Sequence, residues 1–123
     1  FRIQIKWKNQ SVTARLKDTP TSRKLALALP FRAEAHIWGK EVYFEAPLEV
    51  PLEQDAKQVV DPGTVCFWGA GKSVAIPFGP TPLSKGNECR LVAKVNVLGK
   101  IDGDPQILKS IEDGNHVKIS LLR

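Results

Sequence analysis

Between Cys66 and Gly79 the chain reads C-F-W-G-A-G-K-S-V-A-I-P-F-G, and its centre, Gly69–Ser73, has the ending of a phosphate-binding loop. That loop needs a glycine five positions before Gly71, so that backbone N–H groups wrap the phosphates, and a helix directly after the Lys-Ser pair. Cys66 stands where the glycine should be, and Val74–Phe78 is an apolar, strand-like run containing Pro77, which a helix start would not carry. Gly69, Ala70 and Gly71 therefore read as a turn between two strands, and Lys72 as a turn charge.

Other reactive groups are equally sparse. Cys66 and Cys89 lie far apart with no C-x-x-C, and His36 and His116 are isolated, so no metal-ligand spacing emerges. Cys66 has the setting of a small buried hydrophobe, and the pairing state of the two thiols stays open. Ser73 and Ser84 lack a G-x-S-x-G elbow, and Glu45, Glu49, Asp102 and Asp104 have ordinary roles as caps and solvated charges. Asn96, between Val95 and Val97, has the position of a residue that satisfies nearby backbone groups. No cofactor or metal is expected.

The elements that would hold these residues are mostly strands. F-R-I-Q-I-K-W-K alternates with period two, and Asn9-Gln10 turns it into a second strand through Leu16. Thr19 can cap and Pro20 suits a first helical position, which predicts a helix over about 20–28 before Pro30. Residues 33–38 and 41–45 form a hairpin about Gly39-Lys40, and 64–68 with 73–78 form another. The stretch 53–58 reads as an irregular connection, and 79–87 as a loop rich in Gly and Pro. A strand over 91–97, a second helix over 106–112 and a strand through Val117, Ile119 and Leu121 complete the chain. About eight strands and two short helices predict one mainly β domain over 1–123, a closed antiparallel barrel with helices plugging its ends.

The 123 residues suffice for a single core, and no apolar run approaches the length of a membrane span. The net charge of +5 and pI near 9.4 would attract anions, but the lysines and arginines are scattered and no aromatic-basic motif of an RNA-binding sheet occurs, so a nucleic-acid partner is not expected. The chain opens on the strand-like Phe1 without any methionine, which suggests a removed initiator, and no secretory h-region is visible; the expected compartment is the cytoplasm.

Three stretches carry a family likeness: W-G-K-E-V-Y-F-E-A-P (38–47), P-G-T-V-C-F-W-G-A-G-K-S-V-A-I-P-F-G-P-T-P-L-S (62–84) and V-N-V-L-G-K-I-D-G-D-P-Q-I-L-K-S-I-E-D-G-N-H-V-K-I (95–119). Their order and spacing resemble the small prokaryotic cyclophilin-like domain proteins, distant relatives of the cyclophilin peptidyl-prolyl isomerases. The resemblance implies a cyclophilin-type barrel with a groove on its wall. Cyclophilins carry F-H-R on one strand, where this chain has His36, Ile37 and Trp38, with Arg32 in an earlier register. They carry Q-G-G further along, where this chain has Glu45, Ala46 and Pro47. Both departures speak against efficient isomerisation.

Prolyl isomerisation requires only an apolar slot for the ring and a donor that favours the twisted amide, whose barrier is about 20 kcal/mol. The resemblance places Trp38, Tyr43, Phe44, Phe67, Trp68, Ile76 and Phe78 on strands near such a slot. Trp68, beside Gly69, is the leading wall residue, because adjoining glycines let a ligand approach closely. Phe67 and Trp38 follow. The pattern does not separate core from groove, since V-C-F-W and V-Y-F are apolar in both parities. His36 and Lys72 are the candidate donors. The expectation is a domain that binds a proline-containing peptide or small ligand without efficient catalysis; a weak isomerase and an accessory module of a metabolic assembly are the alternatives.

Overall fold

The computed structural model describes residues 1–122. Its elements are β1 (Arg2–Trp7), β2 (Gln10–Leu16), α1 (Pro20–Ala28), β3 (Phe31–Glu34), β4 (His36–Ile37), β5 (Glu41–Glu45), β6 (Lys57–Val60), β7 (Thr64–Trp68), β8 (Ser73–Pro77), β9 (Cys89–Ile101), a 3-10 helix (Pro105–Ser110) and β10 (His116–Leu122).

The local reasons match the sequence. In β1 the alternation buries Ile3, Ile5 and Trp7 and exposes Arg2 and Lys6. At the start of α1 the Thr19 hydroxyl accepts from the Ser22 N–H at 3.1 Å and Pro20 takes the first helical position. The helix then drives Leu25 fully into the core. The second helix differs from expectation: it is a six-residue 3-10 segment started by Asp104, which accepts from the Gln106 N–H at 3.0 Å. It ends when the Ile111 N–H donates to Leu108 O at 3.0 Å.

The strands form an antiparallel path in the order β3-β10-β1-β2-β9-β7-β8-β5-β4, with β6 added on β9. Two expectations are corrected here. Ten strands replace about eight, because residues 57–60 pair with β9 instead of forming a loop and because the 33–38 strand breaks in two. The sheet also does not close through a hydrogen-bonded ladder. Its end strands, β3 and β4, are consecutive in the chain and joined only by Ala35, whose backbone bonds the loop before β10: Ala35 N–H to Asn115 O and Gly114 N–H to Ala35 O, both 2.8 Å. The segment 31–37 thus leaves β10 and joins β5 through one diverted residue.

The main core lies on the inner faces of these strands and includes Trp7, Leu25, Phe44, Phe67, Ile76 and Leu108. Each fully buried large side chain contributes about 1.5–3 kcal/mol. Asn96 ties the wall to the chain around it: its Oδ1 accepts from the Glu53 N–H at 2.8 Å, and its Nδ2 donates to Thr21 Oγ1 and Pro51 O at 3.0 Å. No helix among the described residues is long and apolar enough to cross a membrane.

Candidate functional site: an aromatic pocket on the outer face

Strands β5, β8 and β7 lie side by side, with Tyr43 opposite Ala75 and Ala75 opposite Cys66. Period two then sorts their residues. Val42, Phe44, Val74, Ile76, Val65 and Phe67 belong to the main core, whereas Tyr43, Ala75, Cys66 and Trp68 belong to a second, smaller apolar cluster on the opposite face. That outer cluster is completed by β9. Residues 96–100 pair with β7, but the first half of the strand pairs with β6, Lys57 opposite Val95 and Val60 opposite Cys89. The β6–β9 arm thereby brings Leu91 and Val95 onto Cys66 and Ala75.

The arm does not cover the face completely. It leaves a pocket of about 170 Å³ walled by the aromatic side chains of Trp38, Tyr43 and Trp68 and by Leu91, Val92 and Val95. Tyr43 and Trp68 meet edge to face, their centroids 6.3 Å apart at 85°. The other side of Tyr43 carries the His36 ring, its cross-strand neighbour, at 5.2 Å. Trp68 folds back over its own turn, since a Cβ at Gly71 would overlap its ring carbons. The space that a glycine in this turn provides is therefore filled by Trp68 itself.

Glu41 also lines this pocket. Its main chain closes the Gly39-Lys40 turn, with Glu41 O accepting from the Trp38 N–H at 3.0 Å. The residue is 6% exposed, and its Oε1 is buried with no hydrogen-bond partner. Burial pushes the carboxyl pKa up to about 7. Sequence reasoning missed Glu41, which resembled an ordinary charge at the start of a strand. The available signal was parity, because Glu41 stands two residues before Tyr43 and shares its face.

The structure distributes the other predicted site residues elsewhere. Phe44, Phe67, Ile76 and Phe78 sit in the main core, so they back the wall rather than form the pocket surface. His36 and Lys72 line a separate depression of about 510 Å³ together with Arg32, Glu45, Ala46 and Pro47. Lys72 Nζ lies 2.5 Å from Glu49 Oε1 on the exposed surface, and this bond and charge hold its pKa above the usual lysine value. Strand β8 follows directly, and Ser73 Oγ–H donates to Gly71 O at 2.8 Å, a turn arrangement with no helix behind it. Cys66 and Cys89 are free, buried thiols. Desolvation first and the Glu41 charge second push the Cys66 pKa up, which leaves the thiol protonated and unreactive. Among the described residues no group of three His, Cys, Asp or Glu side chains could hold a metal ion.

A family model described as cyclophilin-like matches residues 1–120. The fold is similar to the solution structure of a hypothetical protein from Archaeoglobus fulgidus, with a TM-score of 0.81 and 32% identity over 97% of this chain and 92% of that one. No curated protein matches the chain.

Proposed function

The chain belongs to the cyclophilin-like family, and on that premise we propose that it is a binding domain whose outer-face pocket takes one compact apolar group of a peptide or small ligand. The observation that carries this reading is the convergence of Trp38, Tyr43 and Trp68 on a pocket of about 170 Å³. A dry apolar cavity of about 150 Å³ is large enough to take benzene, so a prolyl ring or a group of similar size fits the available space. Removing about 100 Å² of apolar surface from water there yields about 2.5 kcal/mol, enough to orient a ligand held by further contacts.

Efficient isomerisation is not part of this proposal. It would require a donor poised at the prolyl amide, and the side-chain N–H donors of Arg32, His36 and Lys72 line the other depression. Their gathering there favours a weak isomerase as the second reading, with the peptide lying across the His36–Tyr43 stack. NMR exchange spectroscopy on a panel of proline peptides separates the two. Peptide resonances that shift with the protein while cis–trans exchange keeps its rate support the binding domain. Faster exchange that is lost in His36→Ala or Lys72→Met supports the isomerase and overturns our reading.

A further inference from the structure

Glu41 poses an electrostatic problem that the fold does not solve. A carboxylate oxygen without a donor, in an apolar setting, carries a desolvation cost that nothing in its surroundings offsets. The other titratable groups packed around it are the Cys66 and Cys89 thiols, both pushed up in pKa by burial, and the Tyr43 phenol. The pocket wall contains no lysine or arginine. The neighbouring Lys40 lays its stem along Gly79, and Arg90 is engaged with Glu88 at 2.6 Å. A carboxyl group whose ionised form has no partner thus stands at a pocket whose other walls are aromatic rings and aliphatic side chains.

We propose that this pocket recognises an organic cation: an alkylammonium head group whose charge is met by Glu41 and whose methyl or methylene carbons lie against Trp38, Tyr43 and Trp68. The inference rests on the binding-domain reading above and names the chemistry of its ligand. Ring faces attract a cation within about 6 Å of their centroids, most strongly when the cation is desolvated, and tryptophan is the best of the three rings. A methylated ammonium suits such walls better than a bare one, because it loses less hydration on entering and offers carbon to the aliphatic side formed by Leu91, Val92 and Val95. The chain's net charge of +5 repels cations at long range, so the selectivity comes from the pocket itself.

Binding an ammonium also requires Glu41 to be ionised. Burial raises its pKa to about 7, so the cation binds with release of a proton and its affinity rises with pH. If only the ionised form binds, affinity increases about tenfold between roughly pH 6 and 8.

The test uses the whole chain and three probes at about pH 8: choline, its neutral isostere 3,3-dimethylbutan-1-ol, and a peptide carrying trimethyllysine, followed by calorimetry and by the Glu41 carboxyl resonance. The proposal predicts at least about tenfold tighter binding of choline or the peptide than of the alcohol, the tighter of the two identifying the source of the cation. Glu41→Gln should erase that preference while retaining the alcohol. In the unmodified protein, choline or the peptide should lower the Glu41 pKa, a readout that does not depend on the variant folding. Equal or tighter binding of the alcohol overturns the cation inference and leaves the binding domain standing. No binding of choline or the trimethyllysine peptide, with the Trp38 and Trp68 indole signals unmoved, also overturns the cation inference, whereas the binding-domain reading falls only if the proline peptides leave those indoles unmoved as well.

Discussion

The two faces of β5, β8 and β7 are built from alternate residues of the same strands, yet they have opposite fates. On the inner face Val42, Phe44, Val65, Phe67, Val74 and Ile76 are buried within one continuous core fed by both helices. On the outer face Tyr43 and Trp68 are only half-buried, and the small Ala75 and Cys66 leave room between them. One face gains its stability from complete burial. The other is covered by a short β6–β9 arm that stops before the space is filled, and it holds an uncompensated carboxylate there. The buried core and the proposed recognition site are therefore separated by a single residue step along each strand.

This contrast can be broken from either side. The largest effect is expected for Phe67→Ala, which empties a fully buried ring position and should cost about 3–5 kcal/mol in chemical denaturation, with partial or complete loss of the fold. Glu41→Gln should act in the opposite direction. The folded pKa of Glu41, about 7, lies above its ordinary value of 4.5, so the folded state holds the proton more tightly. Its favourable contribution is complete below about pH 4.5 and is lost as pH rises to about 7, a change of about 3 kcal/mol for the full shift. The glutamine variant should lack that slope. It should match the parent near pH 4.5 and exceed it near pH 8 by about 1–3 kcal/mol in urea titrations, after allowance for its own unpaired amide.

Trp68→Ala sharpens the comparison because it removes an outer-face ring next to Phe67. It should cost about 1–2 kcal/mol, less than Phe67→Ala, while weakening ligand binding at least about tenfold by calorimetry. An unfolded Trp68→Ala protein would place that ring in the structural core and remove the distinction. The smallest effect belongs to Lys72→Met. Its ion pair with Glu49 is solvent-exposed, so the thermal midpoint should stay in place and ATP should show no lysine-dependent binding.

Features set by short-range chemistry were legible in the sequence. The Thr19-Pro20 start fixed α1 to the residue, and the Gly69–Gly71 turn set the β7–β8 hairpin, because caps and turns depend on a few adjacent residues. The strand β6 was not legible. Lys57–Val60 is short, follows a polar run and becomes a strand only by pairing with Cys89–Val95, some thirty-odd residues later. The open ladder at Ala35 likewise depends on contacts with residues 114 and 115. Within the site, Trp38, Tyr43 and Trp68 were identifiable as aromatics but not separable from Phe44 and Phe67. Both faces of β7 are apolar, so its alternation carries no hydrophobic contrast. Glu41 was hidden for the complementary reason: a charged residue after a glycine turn reads as solvated, yet tertiary packing leaves it only 6% exposed.

The most direct test of a recognition site on the outer face uses the chain's three tryptophans. Trp7 is 1% exposed and donates its indole N–H to Ser110 Oγ at 3.1 Å in the main core, whereas Trp38 and Trp68 line the pocket. Their indole N–H resonances can be followed together by proton–nitrogen correlation NMR while choline or a proline peptide is added. The account predicts that Trp38 and Trp68 shift with one common saturation curve and that Trp7 stays still. Saturable binding that moves Trp7 alone, or leaves all three indoles unmoved, would contradict it.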